Sequence, residues 1–146
     1  MREVIFRVEL FADPERRKAS EVVLRLFLEA LTAANVAYLQ AHPDAPKLYA
    51  SGVRYRTEKP KLKGTPIPEE WLSIPYVIRQ GWGDCEDLAC WRTAELLQQG
   101  VKAQPVFTFR RVGRFSIYHI MVRLPDGTID DPSRRLGMGS ITEAVA

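Results

Sequence analysis

Apolar and polar residues alternate near the start of the chain, and a longer pattern with helical spacing follows. Between residues 4 and 10 every second side chain is apolar, which predicts a strand with one buried face. Residues 13–15, Asp-Pro-Glu, fit a helix start as N-cap, first-turn proline and acidic first turn. Apolar residues on one helix face then continue to about Gln40, before His42 and Pro43 end the helix. We therefore expect a first strand and a long amphipathic packing helix.

Prolines interrupt the pattern between residues 43 and 70. A long irregular segment in a compact domain is usually functional or mobile, and within it residues 48–49 and 53–56 have the composition of short strands. The lysines at positions 59, 61 and 63 fit a solvated loop better than a nucleic-acid patch, because no aromatic residues are interleaved with them.

The next two segments are expected to be helical. Residues 71–78 restore apolar content and predict one or two short helical turns closed by Gly81. After a turn-prone Gly-Trp-Gly, Asp84 is a good N-cap residue, so Cys85 falls in the first turn of a helix with its C-cap at Gly100. Apolar residues lie nearly all round this second helix, which predicts that it is buried.

Three strands are predicted in the last third of the chain, at residues 101–111, 115–124 and 128–131. Val-Gly-Arg at 112–114 joins the first two strands, and Pro-Asp-Gly at 125–127 predicts a three-residue hairpin loop with a bulge. Helices packed on this small antiparallel sheet give an α+β fold as the expected class.

The length of that hairpin loop decides which acidic residue faces His119. With a three-residue loop, Leu124 pairs with Thr128, and Asp131 becomes the diagonal neighbour of His119 on one face of the sheet. With a two-residue loop the register slips by one residue, and Asp130 takes that face instead. We favour the first register because Pro-Asp-Gly satisfies the backbone needs of the longer loop at each position.

Length and composition favour a single globular domain spanning residues 1–146, with 46% hydrophobic and 27% charged residues. The net charge is +3, but acidic residues stand beside most Lys and Arg, so we expect no nucleic-acid partner. The first residues lack the apolar run of a signal peptide or membrane span. We therefore expect a soluble, cytoplasmic protein with no membrane partner.

Two cysteines, Cys85 and Cys90, lie in the same predicted helix, where their side chains diverge too far for a relaxed disulfide. A reducing compartment fits this arrangement best, and Cys90 is expected in the core. A metal site built from Cys85, His119 and the nearby acids is the runner-up arrangement. We expect no zinc, because the chain has only two Cys and two His and no paired ligand spacing.

Cys85 is the candidate nucleophile, because unpaired N–H groups and the dipole at a helix start stabilise a thiolate. His119 is the candidate base. A carboxylate beside it, Asp131 in the favoured register, would fix the ring tautomer and stabilise the imidazolium. The alternative is a small apolar cysteine that only packs in the core.

Three acidic residues around Cys85 weigh against a thiolate. Asp84, Glu86 and Asp87 would oppose its formation by like-charge repulsion unless they are solvated or paired with basic residues such as Arg92. Asp87 also has a purely structural interpretation as the residue that completes the helix cap.

The three anchors also carry a resemblance to a known family. The runs GDCEDLA at 83–89, YHIMV at 118–122 and DDP at 130–132 resemble the transglutaminase-like branch of the papain-like cysteine-protease superfamily. The likeness covers roughly residues 71–132, and the run that continues to residue 138 also resembles small transglutaminase-like proteins of tailed bacteriophages. The sequence departs from the family pattern in its short His-to-Asp connection and in Met121, where an aromatic residue is common.

This resemblance implies a papain-like, transglutaminase-like fold and acyl-transfer chemistry. Cys85 would be the nucleophile, His119 the general base and then acid, and Asp131 the orienting group, with no cofactor. The backbone N–H of Cys85 and a side-chain donor, Gln80 or the Trp82 indole, would form the oxyanion hole.

Two functions follow as expectations. The first is a cysteine-dependent hydrolase or acyltransferase acting on amide bonds of a peptide or protein substrate. The second is a phage virion structural or assembly protein that keeps the fold with an idle or single-use triad, found in the virion and bound to other virion proteins.

Overall fold

The computed structural model describes residues 3–8, 17–57, 69–112 and 115–139. Seven strands and four α-helices lie in these ranges, together with a short 3-10 helix, Leu48–Ala50. In chain order they are β1 (Ile5–Val8), α1 (Arg17–Ala41), β2 (Arg54–Tyr55), β3 (Glu69–Leu72), α2 (Ile74–Gln80), β4 (Trp82–Gly83), α3 (Cys85–Gln98), β5 (Gln104–Val112), β6 (Phe115–Arg123), β7 (Ile129–Asp130) and α4 (Pro132–Arg135). The α+β class predicted from the sequence is confirmed.

The strands of the described ranges form three small sheets. β5, β6 and β7 make an antiparallel sheet in that order, β1 pairs with β3 in antiparallel fashion, and β2 pairs with β4 in parallel. The expected sheet of the last third of the chain is therefore present. The pairing of β2 with β4 brings a distant segment to the start of α3, because β4 directly precedes that helix.

Helix α1 packs on α3 through the apolar face that its spacing predicted. Leu24, Leu28 and Leu31 recur at helical intervals and are buried, each at most 1% exposed. Burying a leucine side chain contributes roughly 1.5–3 kcal/mol, so this face alone accounts for a stable contact. Residues 21–41 of α1 are also long and apolar enough to cross a membrane by length and composition, as core helices of soluble proteins often are.

Helix α3 lies between two hydrophobic clusters and contributes to both. Cys85, Ala89 and Cys90 join α1 and β6 in one cluster, whereas Leu88 and Trp91 face α2 and the segment around β2 in the other. The prediction of a buried helix is confirmed. Cys90 lies in the core as expected, and Cys85 is also largely buried.

Two predicted elements are wrong. Residues 48–49, predicted as a short strand, lie in the 3-10 helix Leu48–Ala50. Trp71 and Leu72 lie in a strand, β3, which pairs with β1, and not in helical turns. The Leu72 N–H donates to Asp87 on α3 at 2.7 Å, and the Ser73 N–H donates to the Val4 carbonyl at 3.0 Å. These partners are far away in sequence, so the local apolar pattern could not reveal them. The helix begins only at Ile74, and Gly81 closes it with φ of 83° as predicted.

The hairpin has the register favoured from its loop. Val122 pairs with Asp130 and Arg123 with Ile129, and the Leu124 N–H donates to the Thr128 carbonyl at 2.9 Å. This is the register of a three-residue loop, and Gly127 takes the left-handed conformation with φ of 88°. The alternative register with Asp130 facing His119 is therefore excluded.

Several sequence predictions lie outside the described residues. They are the helix start at residues 13–15, the lysines and prolines between 58 and 68, and the turn residues 113–114.

Candidate active site

Cys85 is the first residue of α3, and a complete capping box holds it there. Its backbone N–H donates to Asp84 Oδ1 at 2.7 Å, while the Asp84 N–H donates to Asp87 Oδ2 at 3.0 Å. Asp84 is thus the N-cap that the sequence predicted. The Cys85 N–H, expected to serve in an oxyanion hole, is instead engaged by the cap.

Asp87 has a structural role. Its side chain is buried, with Oδ2 on the Asp84 N–H and Oδ1 on the Leu72 N–H. Two backbone donors stabilise the carboxylate, and they attach β3 to the start of α3. One of the three acids that surround Cys85 is therefore explained by capping and packing, as its structural interpretation predicted.

His119 and Asp131 are brought together as the hairpin register requires. His119 Nε2 lies 2.7 Å from Asp131 Oδ2, and the histidine side chain is buried on β6. Asp131 also caps α4, because its Oδ1 accepts from the Arg134 N–H at 3.3 Å. With its proton on Nε2 and donated to this carboxylate, the ring has Nδ1 as its acceptor nitrogen.

The neighbouring Asp130 belongs to a different network. Its Oδ1 accepts from the Tyr49 hydroxyl at 2.5 Å and its Oδ2 from Arg92 Nε at 2.8 Å. The guanidinium groups of Arg92 and Arg135 lie 5.0 Å and 3.8 Å from the centroid of the Tyr49 ring. Two adjacent aspartates therefore have separate partners, and only Asp131 contacts the histidine.

The Cys85 sulfur packs beside β6 but is hydrogen-bonded to its own helix. Sγ lies 3.3 Å from Glu86 Oε2. The backbone N–H of Ile120, the residue after His119, also forms a hydrogen bond with the sulfur that lowers the pKa of the thiol. His119 and Asp131 are hydrogen-bonded, and Cys85 packs against the strand that carries His119. A hydrogen bond between Cys85 and His119 is absent among the described residues.

The surroundings of Cys85 favour its protonated form. Burial raises the pKa of the thiol well above its ordinary value, and the charges of Glu86 and Asp84 raise it further, while the Ile120 N–H lowers it. The position of Cys85 at a helix start predicts the opposite, a stabilised thiolate. Burial and two carboxylates outweigh that effect here because both act directly on the sulfur.

The two predicted oxyanion donors are not seen to contact Cys85. Gln80 Nε2 donates to the Trp82 carbonyl at 2.7 Å, and the Trp82 ring lies 5.4 Å below the Arg56 guanidinium. No hydrogen bond links either side chain to the sulfur in the described part of the chain. Their role in an oxyanion hole stays a prediction.

Tyr55 is a site residue that the sequence analysis missed. It pairs with Gly83 in the β2–β4 sheet, and its N–H donates to the Leu136 carbonyl at 3.0 Å, so it links the start of α3 to the end of α4. Burial raises its pKa above the ordinary range, and so do the nearby charges of Asp84, Glu86 and Asp131. The signal available in the sequence was its place in the short strand predicted at 53–56.

Asp84, Cys85 and Glu86 have side-chain donor atoms within 4.8 Å of one another. Asp84 is committed to the helix cap and the Cys85 thiol to Glu86, so we assign no metal to this group. The expectation of no zinc stays a prediction.

A groove of about 1260 Å³ lies elsewhere, between α1 and β5. Its walls include Arg25 and Thr32 of α1, Phe107 of β5 and Arg123 of β6. Cys85, His119 and Asp131 are not among its lining residues, so this groove does not lead to the candidate site.

No protein-family model, curated protein or solved structure matches the chain in three separate comparisons. The resemblance to transglutaminase-like proteins therefore rests on the three sequence motifs.

Proposed function

We propose that the protein is a cysteine-dependent hydrolase or acyltransferase that acts on amide bonds, with a papain-like arrangement of Cys85, His119 and Asp131. The observation that carries this proposal is the partly buried hydrogen bond of 2.7 Å between His119 and Asp131. It lies on the strand that packs against α3, the helix whose first residue is the cysteine.

The hydrogen bond to Asp131 favours the imidazole tautomer that proton transfer from the thiol needs. With its Nε2–H donated to Asp131, His119 keeps Nδ1 as an acceptor, which is what a base for a neighbouring thiol needs. Catalytic hydrogen bonds are often long in proteins without substrate and tighten only when substrate binds. The missing Cys85–His119 contact is compatible with such a resting state.

The reaction proceeds by acyl transfer through a thioester. As Cys85 Sγ attacks the carbonyl carbon, its proton passes to His119, and the C–N bond breaks as His119 returns that proton to the leaving amine. Water or a second amine then attacks the thioester, His119 takes its proton, and the C–S bond breaks with the proton returning to sulfur. Asp131 stabilises the imidazolium in both halves.

Acylation by a small activated ester tests the nucleophile without knowledge of the natural substrate. We expect p-nitrophenyl acetate to form a hydroxylamine-sensitive acetyl thioester at Cys85, detected by mass spectrometry of peptides. Cys90 is the internal control, because it is a second buried cysteine on the same helix. Acetylation of both cysteines at equal rates, or of neither, would contradict the proposal.

The second candidate is a virion structural or assembly protein with an idle triad. The observation in its favour is that the Cys85 thiol is bonded to Glu86 and strongly disposed to remain protonated. Co-purification with assembled particles, together with absence of thioester formation, would support this role. A soluble monomer that turns over peptide or isopeptide substrates would count against it.

A further inference from the structure

The contact between Glu86 and Cys85 is made by two consecutive residues in the first turn of α3. Glu86 is only 4% exposed and Cys85 8%, yet the carboxylate lies 3.3 Å from the sulfur. A buried glutamate is uncommon, because it gives up hydration that its partners must replace. The reaction scheme above uses no carboxylate on this side of the sulfur.

The direction of this hydrogen bond follows from the chemistry of the two groups. A carboxylate accepts and a thiol donates, so the proton remains on sulfur while Glu86 is charged. A thiolate would place two negative charges side by side in a buried pocket, where their repulsion is only weakly screened.

The other groups around the sulfur come from three further elements. Asp84 precedes the helix, Tyr55 lies on β2, and on β6 the Ile120 N–H acts on the sulfur beside His119. Asp131 follows β7 and holds His119. Tyr55 remains neutral, so Asp84 and Glu86 are the negative charges nearest to the thiol, and only Glu86 accepts a hydrogen bond from it.

We propose that Glu86 restrains the nucleophile by holding Cys85 as a thiol in the resting protein. The thiol proton passes to His119 more readily when this carboxylate is neutralised or turned away from the sulfur. The restraint rests on the proposed function, since it regulates the same cysteine. It also explains why the Cys85 thiol is hydrogen-bonded to Glu86 and not to His119.

Alkylation of Cys85 by iodoacetamide, followed against pH, tests the restraint directly. We expect Glu86→Gln to alkylate about tenfold faster or more at pH 7 and to move the profile to lower pH, since one pKa unit corresponds to a factor of ten. Glu86→Ala should shift the profile in the same direction. Glu95→Gln is the matched control and should leave the alkylation profile of Cys85 unchanged. Glu95 is a buried glutamate of the same helix, but it accepts from the Leu48 N–H and not from the thiol.

An unchanged profile in both Glu86 variants, or a shift to higher pH, would overturn the restraint. Combining Glu86→Gln with His119→Ala separates this inference from the proposed function. Retention of the tenfold gain in the double variant supports the restraint, because the Glu86 carboxylate acts on the pKa of the thiol whether or not His119 is present. Alkylation that is slower in His119→Ala than in the wild type supports the triad. A rate that does not depend on His119, with the Glu86 gain still present, keeps the restraint and contradicts the triad, and dependence on His119 without any effect of Glu86 keeps the triad alone.

Discussion

Asp130 and Asp131 are adjacent residues of one type, yet their environments give them different tasks. Asp131 holds the histidine and caps α4, while Asp130 anchors Tyr49 and Arg92. The difference arises from strand alternation, since consecutive residues point to opposite faces of a sheet. Replacing either aspartate with asparagine therefore removes the same charge at adjacent positions, so the two variants can be compared directly.

Asp131→Asn is expected to slow acetylation of Cys85 by about tenfold or more at pH 7. Asparagine still caps a helix well, so α4 should persist, but its amide no longer holds the proton on the correct nitrogen of His119 or stabilises the imidazolium. The measurement is the rate of thioester formation, with circular dichroism as a check on folding.

Asp130→Asn is the matched control. It should leave that rate unchanged and lower the free energy of unfolding by about 1–3 kcal/mol, because the Tyr49 and Arg92 donors lose a charged acceptor. Urea unfolding measures this loss. Equal rates in the two variants would contradict the assignment of Asp131.

At the scale of elements, the start of α3 depends on close contact between β4 and the helix. A methyl group at Gly83 would lie 3.1 Å from Leu88 Cδ2 and 3.2 Å from Asp87 Cβ. The same turn carries the capping box that positions Cys85. The position of the cysteine is thus set by backbone packing in addition to the cap.

Gly83→Ala should destabilise the protein by about 1–3 kcal/mol through overpacking, and it should also slow acetylation of Cys85 by moving the helix start. Gly100→Ala serves as the control. Its φ of 81° makes alanine strained by about 1–2 kcal/mol, but nothing lies within 4 Å of the added methyl group, so acetylation should be unchanged. Urea unfolding and thioester formation are measured on both variants. A Gly83→Ala protein with wild-type stability and rate would contradict this description.

For the molecule as a whole, local signals in the sequence predicted most of the fold. The cap at Asp84, the face of α1 and the three-residue loop at 125–127 each depend on nearby residues, and all three are confirmed. The loop was the most informative, because its register predicted the contact between His119 and Asp131.

Long-range contacts account for what the sequence could not predict. The pairing of β1 with β3 changed the interpretation of Trp71, and the pairing of β2 with β4 brought Tyr55 to the site. Each depends on a partner more than 25 residues away along the chain. The acidic residues beside Cys85 were expected to oppose a thiolate, but the burial of the sulfur and the direction of the Glu86 side chain depend on packing that the sequence pattern does not reveal.

The central claim is that His119 takes the proton of Cys85. The most direct test is the rate of acetyl-thioester formation at Cys85, measured against pH in the wild-type protein and in His119→Ala. Burial and the neighbouring carboxylates raise the pKa of the thiol, so unassisted thiolate is scarce at pH 7 and increases about tenfold per pH unit. We predict a wild-type advantage of about 10²–10⁴ at pH 7, the range typical of general base catalysis, that narrows steadily as the pH rises and unassisted thiolate increases. Equal rates in the two proteins at pH 7 would contradict the account.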